Sequence, residues 1–135
     1  MDDRLDPLVG EWKVRASFGA TGTTRFEWAL DRAFLVQHGT IDDPAAPDTL
    51  AVIAPDGDGF RQHYFDARGV VRLYAMTFVD GVWTLSRDEA DFSPLSFPQR
   101  FVADVGEDVI RGRWERDGEL DFGLVYERVA ERDLA

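Results

Sequence analysis

The chain has 135 residues and is 44% hydrophobic and 13% aromatic, which is enough for one domain with a sizeable core and too apolar for a disordered chain. Fifteen basic side chains against 26 acidic ones give a formal charge of −11, which excludes the basic field that a nucleic-acid site needs and disfavours an anionic membrane surface. With no cysteine, disulfides, thiolate metal sites and thiol catalysis are excluded. The start, Met1-Asp2-Asp3-Arg4, is polar and acidic, unlike a signal peptide. The longest apolar stretch, Val70 to Val79, is interrupted by Arg72 and is too short for a bilayer. A single domain over residues 1–135 is expected, cytoplasmic, as a monomer or homodimer.

Asp3 to Val9 is the one candidate for a helical turn, suited to plugging one end of a larger structure. Beyond it, β-rich runs recur about every ten to twelve residues, the spacing of a sandwich or barrel. Trp12, Val14, Ala16 and Phe18 share one face of the first run, opposite Glu11, Lys13, Arg15 and Ser17. Phe26, Trp28 and Leu30 alternate with Arg25 and Glu27 in the second. The third run covers Phe34 to Ile41, the fourth Thr49 to Ala54, the fifth Phe60 to Asp66 and the sixth Val70 to Val79. Val82 to Arg87, Phe97 to Asp104, Val109 to Arg116 and Leu120 to Val129 complete ten. The turns are explicit. Asp56-Gly57, Asp58-Gly59, Asp80-Gly81 and Asp117-Gly118 suit tight hairpins, because both residue types tolerate positive φ. Ala67-Arg68-Gly69 and Val105 to Asp108 read as longer hairpin loops. Two polar loops, Asp42 to Asp48 and Asp88 to Ser96, are long enough to form a rim.

Ten hairpin-linked strands can make two sheets or one barrel. Closure removes the edge-strand liability, which favours the barrel in a chain with few edge-blocking lysines. The expected fold is therefore all-β, a closed up-and-down antiparallel barrel with a fatty-acid-binding-protein-like shape, leaving interior room. On the sixth strand, Arg72, Tyr74 and Met76 share one face and Val71, Leu73, Ala75 and Thr77 the other. Which of the two points inward is open at this stage.

The segment Leu8-Val9-Gly10-Glu11-Trp12 resembles the Gly-x-Trp opening of lipocalin-like (calycin) barrels. That resemblance implies that Trp12 closes the bottom of the barrel and that Arg128, in Tyr126-Glu127-Arg128-Val129, lies across it as a cation–π partner. The stretches Phe26 to Gln37, Gln62 to Val70, Gly81 to Leu85 and Arg111 to Glu115 are similar to an uncharacterised bacterial lipocalin-like family. The resemblance spans nearly the whole chain and implies a fold, with no catalytic residues to carry over. In shape the chain is more distantly similar to nitrobindin, whose haem is held by a histidine near the C-terminus. Here no histidine follows His63, so the resemblance implies the barrel without that haem ligand.

The function these features favour is binding of a small, largely apolar molecule inside the barrel, with no cofactor and no metal. Aromatic and soft side chains dominate such walls. Phe26, Trp28, Met76, Phe101 and Trp114 are the candidate apolar wall. His63, Tyr74 and Tyr126 are the candidates for orienting the ligand. Strict alternation prevents His63 and Tyr64 from both entering the interior. A different class, a cofactor-independent isomerase, cyclase or lyase, would use His63 or His38 as acid or base, Glu27 if a bulge turned it inward, and Tyr74 or Tyr126 as oxyanion donors. Haem binding and a protein-interaction barrel are the further alternatives. Asp56-Gly57-Asp58-Gly59 lacks the distal glutamate of a calcium loop and reads as a turn, and Asp88, Glu89 and Asp91 read as solvated rim charge.

Overall fold

The computed structural model describes residues 3–91, 94, 95 and 97–130. Positions 92, 93 and 96 of the expected Asp88 to Ser96 loop lie outside them. A 3₁₀ segment, Asp3–Leu8, leads into ten strands: β1 Gly10–Ala16, β2 Thr21–Ala29, β3 Phe34–Ile41, β4 Thr49–Asp56, β5 Gly59–Asp66, β6 Val71–Val79, β7 Val82–Arg87, β8 Gln99–Val105, β9 Val109–Arg116 and β10 Glu119–Arg128. Each strand pairs antiparallel with the next, and β1 pairs with β10, so the sheet closes as the turn chemistry and alternation predict. No helix among the described residues is long and apolar enough to cross a membrane.

The hairpins are made where Asp-Gly predicts them. Asp80, Gly81, Asp117 and Gly118 all have positive φ, the backbone that matches strand twist in a two-residue turn. Two expectations shift. Asp58-Gly59 is not itself a turn, because Gly59 already pairs with Asp56 as the first residue of β5. Leu30 does not continue the inward face of β2. It is exposed, and Leu30, Asp31 and Arg32 run successively through the left-handed region at φ 52°, 57° and 65°. Arg32 is anchored in that turn, donating to Asp3 and Asp6 at 3.2 and 2.9 Å and stacking 4.4 Å from the Trp28 ring.

One end of the barrel is filled. Leu5 and Leu8 of the 3₁₀ segment are buried with Trp12, Phe26, Leu35, Ile53 and Met76 in a continuous apolar cluster. Trp12 has 0% exposure, and its Nε1 donates to the Leu8 carbonyl at 2.9 Å. Arg128, the register partner of Trp12, lies 4.1 Å above its ring. The guanidinium donates to the carbonyls of Pro7, Val9 and Glu107. Gly10 explains the glycine of the Gly-x-Trp segment. Its φ is +127°, and a Cβ there would sit 2.7 Å from Arg128 Nη1, so only glycine leaves the guanidinium its path.

Candidate functional site

The opposite end is open. Between the β1–β2, β3–β4 and β9–β10 connections lies a cavity of about 380 Å³ that runs down to Trp83 and Tyr126. Alternation builds its walls. On β6, Tyr74, Met76 and Phe78 are buried while Ala75, Thr77 and Val79 are exposed. Arg72 therefore follows the inward phase, and Val71 and Leu73 face outward. Three large inward residues below Arg72 set this phase, which settles the open question of the sixth strand.

The interior has two characters. One wall and the floor are aromatic. Trp83 packs edge-on against Phe26 and Phe101 with ring centroids 5.8 and 4.8 Å apart, and Trp114 lies 5.2 Å from Phe101 and 5.7 Å from Tyr74. The other wall is a polar quartet on two adjacent strands, where Gln62 pairs with Tyr74 and Tyr64 with Arg72. Tyr74 donates to Gln99 Oε1 at 3.4 Å, and Tyr64 donates to Asp66 Oδ2 at 2.9 Å. Burial raises the pKa of Tyr64, Tyr74 and Tyr126, so all three phenols stay protonated and act as donors near neutral pH. Among the described residues, the buried atoms Gln62 Oε1, Arg72 Nε and Trp83 Nε1 find no hydrogen-bond partner. At the mouth, Phe18 is 66% exposed and meets Phe122 edge-on at 5.4 Å, so one side of the entrance is apolar, and Asp43, Glu115 and Asp121 also border it.

The candidate residues divide between places. Tyr74, Phe101, Trp114 and Tyr126 line the cavity together. Phe26 and Met76 point inward but belong to the packed cluster below it. Trp28 sits at the filled end, where its Nε1 donates to Asp6 at 3.1 Å and its ring borders a crevice of about 320 Å³ under the 3₁₀ segment. His63 does not join the wall. Its register partners are Val52 and Leu73, both on the outer face, while Gln62 and Tyr64 on either side of it face the cavity. Alternation forces that choice, because β5 pairs without a bulge.

His38 is also outside, with Nε2 3.0 Å from Glu27 Oε1. Glu27 stays outward because β2 pairs regularly with β1 and β3. The acid–base groups of the enzymatic alternative are thus on the outer surface, and neither histidine is available to a haem in the cavity. Gln62, Tyr64, Gln99 and Trp83 carry the cavity's polarity without having been singled out in the sequence. The available signal was phase, since Phe60, Gln62 and Tyr64 share a face. Choosing that face over Arg61, His63 and Phe65 needs the neighbouring strand.

No family model and no curated protein matches the chain. Among solved structures it is similar to a de novo designed fluorescence-activating β-barrel, with 12% identity and a TM-score of 0.46, over 96% of this chain and 100% of that one.

Proposed function

We propose that the chain binds a small, largely apolar molecule inside the open end of its barrel. The carrying observation is the cavity itself, about 380 Å³ in volume and walled by Phe101, Trp114, Leu124 and Tyr126 with a few polar groups on the facing wall. That volume and that mixture suit a ligand held by apolar burial and oriented by hydrogen bonds. The apolar side of the mouth at Phe18 and Phe122 suits entry of such a molecule. The geometry of Trp12, Gly10 and Arg128 supports placing the chain among lipocalin-like barrels. An aqueous, cytoplasmic setting is part of the reading. Arg15 and Glu127 pair at 2.7 Å on the outer wall, with Arg25, Glu27, Arg61 and Arg113 exposed on other strands, where a membrane barrel carries an apolar band.

The test is native mass spectrometry of the purified protein with analysis of its organic extract, alongside titration with the neutral fluorophore 1-aminoanthracene. A stoichiometric bound compound, or saturable one-to-one dye binding, is the expected result. A protein that carries nothing and takes up no dye would sink the proposal.

A further inference from the structure

We infer that the ligand is an organic monoanion whose carboxylate is taken by Arg72, a deepening of the cavity-binding reading above that rests on it. Arg72 stands in the upper wall of the cavity, held inward by the phase of β6. Among the described residues no carboxylate forms an ion pair with it, although the chain has 26 acidic side chains for 15 basic ones. The contrast with Arg87 at the same end is direct. Arg87, which is buried, makes a two-pronged ion pair with Asp91 at 3.0 Å on both oxygens.

Two neutral tyrosines stand beside Arg72 on the cavity face. Its guanidinium carbon lies 5.8 Å from the Tyr64 ring centre, Tyr74 follows it on the same face of β6, and its buried Nε finds no hydrogen-bond partner among the described residues. The nearest acid on β5, Asp66, is already engaged by Arg68 and by the Tyr64 hydroxyl. Arg72 is half-buried, and a cation partly removed from water is favoured by a counter-charge. A carboxylate arriving with the ligand would supply that charge and match the planar fork of the guanidinium. The Gln62 amide, one pair further down the same two strands, also has an unmatched oxygen. It would take a donor on the ligand.

The charge of the ligand follows from the rest of the site. One guanidinium compensates one negative charge. Asp43, Glu115 and Asp121 border the mouth, and Glu115 is drawn to Arg113 at 3.5 Å. Their field opposes any anion, and a dianion such as a phosphate monoester about twice as strongly as a monoanion. Below the quartet, Trp83, Phe101, Trp114 and Leu124 leave an apolar, mostly aromatic space for the body of the molecule.

The test compares naphthalene-2-carboxylate with its neutral near-isostere naphthalene-2-carboxamide, each displacing 1-aminoanthracene from the full chain. The expected result is that the acid binds wild type about 10-fold or more tightly than the amide, as a charge-assisted pair implies. In Arg72→Met the acid and the amide should bind alike. Arg72→Lys, which keeps the charge without the fork, should fall between. Equal affinities of acid and amide for wild type would overturn the inference and leave the cavity reading standing, because the dye still binds. A preference for the acid that survives in Arg72→Met would overturn the role of Arg72. Failure of the dye to bind wild type would overturn the cavity reading and this inference together. The wild-type comparison decides the matter even if Arg72→Met fails to fold.

Discussion

Trp12 is gripped from both sides, with the Leu8 carbonyl accepting from its indole below and Arg128 lying over its ring. Truncation to alanine would leave a void between the 3₁₀ segment and the barrel that the backbone cannot collapse to fill. Trp12→Ala is expected to cost about 3–5 kcal/mol in chemical denaturation. A loss below 1 kcal/mol would mean that the filled end is not held this way. Asp66 gives a second test at this scale. Its carboxyl is drawn from its ordinary 3.8 down to about 2, chiefly by the Arg68 side chain, with the Tyr64 hydroxyl and the Arg68 backbone N–H adding to the effect and burial opposing it. The folded pKa lies below the unfolded one, so this contribution to stability is complete above about pH 5 and is lost as pH falls through about 2. NMR titration of the Asp66 carboxyl should find the low midpoint in wild type and a return toward 3.8 in Arg68→Ala. An unchanged midpoint in the variant would remove Arg68 as the cause.

At the scale of elements, the β6–β7 ladder runs from Val79↔Val82 to Ala75↔Ser86. Beyond it Asp91 bridges the two strands. One of its oxygens accepts from the Leu73 backbone N–H at 2.7 Å, and the pair together hold Arg87, whose side chain is 3% exposed. An acidic cluster that reads as solvated rim charge in the sequence thus contains a structural strap. Asp91→Asn keeps an acceptor for Leu73 but strips the charge from beside an enclosed guanidinium. It should cost about 1–3 kcal/mol and speed amide exchange at Leu73. Replacing Arg87 and Asp91 together with apolar residues should cost less than Asp91→Asn alone, since no charge is then left stranded. A double substitution that costs as much as both single ones summed would refute the strap. The same contrast explains what is legible in the sequence. Strand number, turn positions and closure follow from alternation and Asp-Gly chemistry, both local. The Leu30 turn is not local, because Arg32 is held there by Asp3 and Asp6 from the N-terminal segment. The cavity wall is half legible for a related reason. Tyr74, Phe101, Trp114 and Tyr126 are large and aromatic on any reading, whereas the choice between His63 and the Gln62–Tyr64 face is made by the packed phase of β6 next to it.

Over the whole molecule, the barrel divides into a filled end, where the 3₁₀ segment occupies the interior, and an open end, where no segment of comparable size does so among the described residues. Two spaces result, the cavity at the mouth and the crevice beside Trp28, and only one should take up a ligand. The crevice is bordered by Asp3 and Arg32, which already pair with each other, so its polar groups are spoken for. The cavity has unmatched polar groups and an aromatic pair at its entrance. Ala51 offers a way to separate the two. It is buried on β4 between Gln37 of β3 and Tyr64 of β5, with its small side chain against the cavity. Ala51→Phe would place a ring in the cavity with little demand on the filled core. Stability should hold, or rise with the added apolar burial, and binding of 1-aminoanthracene should fall about tenfold or more. Trp28→Phe at the crevice should leave dye affinity as it is. The reverse pattern, dye binding lost in Trp28→Phe and kept in Ala51→Phe, would move the site to the filled end, because a ring at Ala51 blocks only the space open to the mouth.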